Sequence, residues 1–418
     1  MNFARATIAG AGLAGLSAAV RLSEAGLGVA ISDSAAQAGG RCRSYHDPQL
    51  GLTIDNGNHL VLAGNDGVAR FRRTVGAEAP LSGPERADFA FADLGTGARW
   101  TVRMNGGRLP WWVAMPSRRV PGTRLRDYLA LSPLLAKDGG ARVGDRIATR
   151  GALWDRLLGP VLLAVLNTPP DKGSAALTAN VLRETLGRGG RAMLPRIAEP
   201  SLAAAFVDPA TRWLAAHGAP VALGRRLRAV EADGDRVKAL VWSDGRQEVA
   251  GDEAVILAVP PWVASTLLPE IPSPDRFHAI VNGHFAMPAP AAAPAMLGLI
   301  GGSAEWVFAF PDRISVTVSA ADAIVDEDRE ALARRFWADI CAAYRIDAPM
   351  PAWQIVKEKR ATFAAAPDQE PKRPVARTRW RNLFLAGDWT DTGLPATIEG
   401  AIRSGETAAG LVITASTG

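Results

Sequence analysis

The chain opens with a pattern that leaves few folds open to it. Phe3 to Ala9 is an apolar run of strand length. Gly10, Gly12 and Gly15 follow at the spacing Gly-x-Gly-x-x-Gly. Leu13 to Ala25 then carries Ala, Leu and Val on one face and Arg21 and Glu24 on the other, the pattern of an amphipathic helix. Strand, glycine turn and helix in this order form a phosphate-binding unit. Gly10 permits the tight turn, Gly12 lets backbone approach a pyrophosphate, and Gly15 allows close helix–sheet packing. The helix begins at Leu13 and Ala14, where N-terminal N–H groups and the macrodipole favour negative charge. Leu27 to Ser32 reads as a second strand. It ends at Asp33, with Ser34 beside it, about 20 residues beyond the loop, where an acid accepts ribose hydroxyls. An acid here disfavours a 2′-phosphate, so the expected dinucleotide is FAD or NAD and not NADP.

A chain of 418 residues exceeds the usual size of one hydrophobic core, so at least two domains are expected. The net charge of +5 suits a solvated basic surface or an anionic lipid. No zinc-ligand spacing and no nucleic-acid-binding signature accompanies it, so nucleic acid is not an expected partner. The two cysteines, Cys42 and Cys341, fit no metal motif and no disulfide framework, which points to a reducing cytoplasm. No stretch reaches the roughly 20 uncharged apolar residues of a membrane span, so membrane contact is expected to be peripheral.

The far end of the chain supplies a second motif. Asn382 to Ala386 reads as a short apolar strand closed by Gly387-Asp388, and Ala396-Thr397-Ile398-Glu399-Gly400 precedes Ser404-Gly405. Near the start, Gly39-Gly40-Arg41 follows the ribose acid. Together these segments resemble the amine oxidase and carotenoid desaturase superfamily of flavoproteins. The resemblance implies FAD, with Arg41 near its phosphates or ring edge and Asp388 against the ribityl and pyrophosphate region. It implies amides at Thr397 and Ile398 facing the isoalloxazine, where helix-end donors stabilise negative charge. Gln37 stands where many members carry arginine, a departure that puts one polar contact in doubt. Between Val221 and Val259, turn-bounded hairpins resemble the superfamily's β-meander, which implies adenine contact near Val230. The expected fold is therefore α/β. Residues 1–84, 221–274 and 376–418 make a Rossmann-like FAD-binding domain with a β-meander. Residues 85–220 and 275–375 make a discontinuous α+β substrate domain.

The stretch Ile54-Asp55-Asn56-Gly57-Asn58-His59-Leu60-Val61-Leu62 resembles more narrowly the squalene-associated FAD-dependent desaturase group, the hydroxysqualene dehydroxylases of hopanoid biosynthesis. That likeness implies reductive loss of a hydroxyl from a linear triterpenoid, with hydride from reduced flavin and a proton from a nearby acid. It also places Asn56, Gly57 and Asn58 at the cofactor. Asp55, His59 and Glu399 are the candidate acids, His59 because histidine titrates near neutrality. A lone histidine in an apolar stretch is, however, more readily a structural residue, and Asp55 equally a loop-holding one. Around 108–135, Trp111 and Trp112 lie among Arg108, Arg118 and Arg119, with Leu129 to Leu135 beyond. This is either a membrane-docking face or interior packing. The cytoplasm is the expected location, with the inner face of the membrane as the place of contact under the docking reading, and an external electron donor is expected because no second dinucleotide loop is visible. A carotenoid-type desaturase, an amine oxidase and a non-enzymatic prenyl-lipid carrier are the rival readings.

Overall fold

The computed structural model describes residues 2–136 and 139–417. A five-stranded parallel sheet runs in the order Val221–Ala222, Gly28–Ser32, Arg5–Ala9, Glu253–Leu257, Leu383–Leu385. Glu253–Leu257 is buried along its whole length, as a strand covered on both faces must be. Alternate residues serve different cores. Ala254 and Ile256 face the helices Leu13–Glu24 and Ile398–Thr417, while Val255 and Leu257 face the other side. That side is covered by an antiparallel meander of Leu227–Asp233, Arg236–Trp242 and Gly245–Glu248. Its two turns fall at Gly234-Asp235 and Ser243-Asp244, where the turn residues indicated them. The edge strand Val221–Ala222 was not foreseen, because two residues carry no periodicity.

The two helices that bring the ends of the chain together touch at glycine. A Cβ on Gly405 would fall 2.1 Å from the backbone oxygen of Ala14. Ser17 Oγ donates to Ile402 O at 2.9 Å across the same crossing. The start of the glycine-loop helix is thereby fixed against the C-terminal helix.

A seven-stranded sheet stands beside this unit, in the order Trp353–Phe363, Phe277–Phe285, Ile314–Val318, Trp306–Ala309, Met296–Ile300, Asp88–Asp93, Arg99–Arg103. Trp306–Ala309 and Ile314–Val318 pair antiparallel across Pro311–Arg313, with Ala309 opposite Ile314. Helix Arg329–Tyr344 covers one face through Leu332, Phe336 and Ile340. The other face carries an aromatic core of Phe89, Phe91, Trp100, Trp306 and Phe308, joined by Trp112, Leu153 and Leu157 from the long intervening segment. Sheets with helices layered on them agree with the α/β class inferred above.

Candidate cofactor and active site

The residues that follow each of the five parallel strands line one cavity of about 1160 Å³. In sheet order they are Gly224, Asp33, Gly10, Ala258 and Gly387. A crevice outside the carboxyl ends of a parallel sheet is where such folds bind ligands. Four strand spacings set Gly224 and Gly387 about 19 Å apart, so a ligand lying across the crevice is long.

The glycine loop takes the form its spacing requires. Gly10 has φ +108°, and a Cβ there would lie 2.3 Å from Ala258 O. A Cβ on Gly15 would lie 1.9 Å from Gly10 O, so Gly15 permits packing and does not face the crevice. Gly12 has open space where a side chain would be, and Leu13 and Ala14 line the crevice beside it. Asp33 Oδ2 accepts from Ala11 N at 2.6 Å and Oδ1 from Ala35 N at 2.8 Å, which holds the acid at the mouth of the turn next to Ser34.

Gly39, Gly40 and Arg41 also line the crevice. Arg41 Nη2 donates to Asp388 Oδ1 at 2.7 Å, and its Nη1 donates to Ala361 O at 2.6 Å. One guanidinium therefore joins the N-terminal loop, the C-terminal motif and the long strand of the seven-stranded sheet. Gly387 N donates to Ser404 Oγ at 2.9 Å, which sets Asp388 relative to the C-terminal helix. That helix starts at Ile398, and Thr397 and Ile398 open on the crevice. Open space at Gly12, two helix N-termini and the Arg41–Asp388 pair make a donor set that suits a pyrophosphate-bearing cofactor such as FAD.

Of the three candidate acids only His59 lines the crevice. Burial, with the nearby Arg41 guanidinium adding to it, brings His59 down to about 4, so the ring is neutral at pH 7 and does not titrate near neutrality as expected. Asp55 faces away. Its Oδ1 accepts from Ser44 Oγ at 2.6 Å and from Leu202 N at 2.9 Å, and burial raises its carboxyl against those bonds. Glu399 also stands behind the wall. Its two oxygens accept from Gly67 N and Val68 N at 2.9 Å each, capping helix Asp66–Thr74, and Arg403 Nε donates to it at 2.6 Å. The helix start it caps gives Glu399 a structural partner in place of a substrate.

Four other expected contacts stand back from the crevice. Asn56 donates to Glu358 Oε2 at 3.2 Å, Gly57 lies against Asn282, and Asn58 donates to Val316 O at 3.3 Å and Thr317 Oγ1 at 3.2 Å. They support Glu358 and the neighbouring sheet. Val230 sits in the body of its strand opposite Leu240, and the wall is formed upstream by Gly224 to Arg228. Arg225, Arg226 and Arg228 were not singled out in the sequence, although Gly224-Arg225-Arg226-Leu227-Arg228 follows directly on the unforeseen edge strand. Arg225 lies 4.4 Å over the Trp242 ring and pairs with Asp244 at 2.9 Å. Glu358 and Arg360, also in the wall, come from the long strand Trp353–Phe363, whose residues show no local motif. Cys42 lines the crevice too. Burial pushes its thiol up to about 12, so it stays protonated and is no nucleophile.

Comparison with known proteins places the chain in a family. The profile of the flavin-containing amine oxidoreductases matches residues 13–413. A hydroxysqualene dehydroxylase of Rhodopseudomonas palustris is 53% identical over 409 residues, 98% of each chain. One of Sinorhizobium fredii is 50% identical over 97% of each. Among solved structures, an oxidoreductase of Methanosarcina mazei has a TM-score of 0.72 at 15% identity, covering 96% of this chain and 98% of that one. At that identity the likeness is one of fold. On the profile and the near-full-length relatives together, the chain belongs to the flavin-containing amine oxidoreductase family, in its hydroxysqualene dehydroxylase group.

Proposed function

We propose that this chain is an FAD-dependent oxidoreductase that converts hydroxysqualene to squalene, a step that supplies polycyclic triterpenoids such as hopanoids. The observation that carries the reading is the identity of about half the residues, over nearly the whole chain, with hydroxysqualene dehydroxylases. Replacing C–OH by C–H consumes one hydride equivalent and one proton and releases water. Reduced FAD, reloaded by an external donor, supplies the hydride equivalent when bound.

The chain's own residues do the rest. Gly10 and Gly12, with the helix start at Leu13 and Ala14, hold the pyrophosphate, and Gly15 lets that helix close on the sheet. Asp33 and Ser34 hold the ribose. Gly39, Gly40, Arg41, Gly387 and Asp388 hold the middle of the dinucleotide, and Thr397 and Ile398 present amides to the ring. His59, uncharged at neutral pH, donates a hydrogen bond from its one ring N–H to the departing hydroxyl oxygen; as that proton moves to the oxygen, the other ring nitrogen takes one from solvent, so the ring stays neutral and the hydroxyl leaves as water.

A greasy substrate reaches this crevice from a bilayer in the proposed reading. Among the described residues no helix is long and apolar enough to cross a membrane. Leu109, Trp111, Met115, Leu125 and Leu129 are nevertheless exposed, while Trp112 is buried. The tryptophan pair thus divides, one ring inside and one out. Trp112 meets Tyr128 edge to face at 5.4 Å, and both belong to the aromatic core that reaches Leu60, the neighbour of His59. An apolar surface continuous with an apolar interior supports uptake of substrate at segment 108–135.

Anaerobic incubation of the reduced protein with hydroxysqualene tests the reading by mass spectrometry. Squalene is the expected product. Absence of squalene, with new double bonds in phytoene-like substrates instead, would replace it with the desaturase reading.

A further inference from the structure

A second cavity, of about 580 Å³, lies on the outer edge of the seven-stranded sheet, between strand Arg99–Arg103 and the segment 116–121. Arg99, Arg103 and Arg119 line it together with Thr101, Ser117 and Trp100. Strand alternation puts Arg99, Thr101 and Arg103 on one face. Among the described residues, Arg103 has a single carboxylate partner, Asp88, at 4.0 Å, and Arg99 and Arg119 have none within ion-pair reach. Arg119 Nη1 is oriented by Val113 O at 3.0 Å, and a guanidinium nitrogen of Arg99 by Ala343 O. Three cations meet in one concavity with little to neutralise them.

The surroundings say what kind of anion arrives. From Leu94 to Arg126 the chain has seven arginines and no Asp or Glu. The cavity wall is the direct continuation of the exposed apolar tip: Met115 leads into Pro116 and Ser117, and Arg103 N donates to Arg118 O at 2.9 Å. Arg118 in turn lies 4.9 Å from the exposed Trp111 ring. An apolar tip seated in the headgroup boundary carries the residues just behind it at the level of the lipid phosphates.

We propose that this cavity binds the phosphate of an anionic bilayer lipid, anchoring the chain beside its point of insertion. The inference rests on the docking reading of segment 108–135 and adds to it a defined headgroup site. Paired N–H donors of guanidinium match phosphate oxygens, and the three arginines distinguish a site for phosphate from diffuse surface charge.

Vesicle co-sedimentation of the flavin-loaded protein tests it. Three vesicle types are compared: phosphatidylcholine alone, phosphatidylcholine with phosphatidylglycerol, and phosphatidylcholine with oleate at the same surface charge. The wild type is expected to prefer the phosphatidylglycerol vesicles to the oleate ones. Arg99→Gln/Arg103→Gln loses that preference and about fivefold in affinity per arginine. Arg124→Gln/Arg126→Gln, outside the cavity, weakens both anionic types alike. Flavin content and turnover in detergent stay at the wild-type level in both double variants. Binding to every vesicle without a phosphate preference, or a preference unchanged in Arg99→Gln/Arg103→Gln, overturns the cavity assignment alone. Failure of the wild type to bind any vesicle overturns the docking reading beneath it.

Discussion

At the scale of single residues, position relative to water decides chemistry more than residue type does. His284 is fully buried. Its Nε2–H donates to Asp55 O at 3.1 Å, and its Nδ1 accepts from Ser315 Oγ at 2.8 Å. Burial, with Arg313 adding to it, holds the ring down to about 3. The folded protein therefore stays unprotonated at this site while the unfolded chain takes up a proton below about 6.5. The neutral ring's contribution to stability is full above pH 6.5 and is lost as pH falls from there toward 3. Glu305, which burial raises to about 7, acts in the opposite sense between its two values, so the whole-protein curve is not diagnostic. The difference between wild type and His284→Gln is. Urea midpoints between pH 7.5 and 5 should show the wild type losing more, with a limiting slope of about 1.4 kcal/mol per pH unit. Parallel curves would mean that His284 is already protonated when folded. Asp33 and Asp388 could be read from sequence because each follows a strand end and a glycine motif. Asp55 stayed open between acid and loop-holding residue, and the second holds, because what decides it is Leu202, 147 residues away.

At the scale of elements, the informative unit is a helix start. The glycine-loop helix was legible in full, its observed bounds Leu13–Glu24 differing from the expectation by one residue. Gly12 has φ −71° and empty space at its Cβ position, so valine there fits the protein itself. Gly12→Val is therefore expected to leave the unfolding of flavin-free protein unchanged and to lower flavin content per chain severalfold, measured after release of the cofactor. Full flavin occupancy would remove the pyrophosphate from this loop. Glu399 illustrates what a local pattern hides. Its helix followed from the resemblance, but neither its partner Arg403 at i+4 nor the second helix start at Gly67 and Val68, which arrives from more than 330 residues away, was singled out in the sequence. Glu399→Gln removes the charge from that buried junction and should cost about 1–3 kcal/mol of stability with flavin content and turnover retained. A collapse of turnover at unchanged stability would return Glu399 to the list of acids.

At the scale of the molecule, two sheets converge on one crevice and one edge of the second sheet carries an unpaired apolar surface. The topology explains why the parallel sheet was readable and the wall of the crevice only in part. Strand ends and turns are written locally, whereas Glu358 and Arg360 reach the wall only because strand Trp353–Phe363 is carried there by pairing with Phe277–Phe285. The apolar tip was legible as composition, but which tryptophan faces outward depends on the interior contact of Trp112 with Tyr128. Leu109 is 77% exposed and Leu129 65%, far more than an interior residue tolerates. Burying a leucine in an apolar phase is worth about 1.5–3 kcal/mol, so losing one from a bilayer contact weakens binding about tenfold or more. Leu109→Asp/Leu129→Asp is accordingly expected to lower turnover of vesicle-borne hydroxysqualene by at least about tenfold while sparing turnover of detergent-dispersed substrate. Both residues lie far in sequence from the cofactor motifs, so an equal loss in detergent would mean that the tip shapes the substrate path itself. Unchanged turnover in both media would mean that substrate enters elsewhere, since a docking face that can lose two leucines to carboxylates without effect is not in contact with lipid.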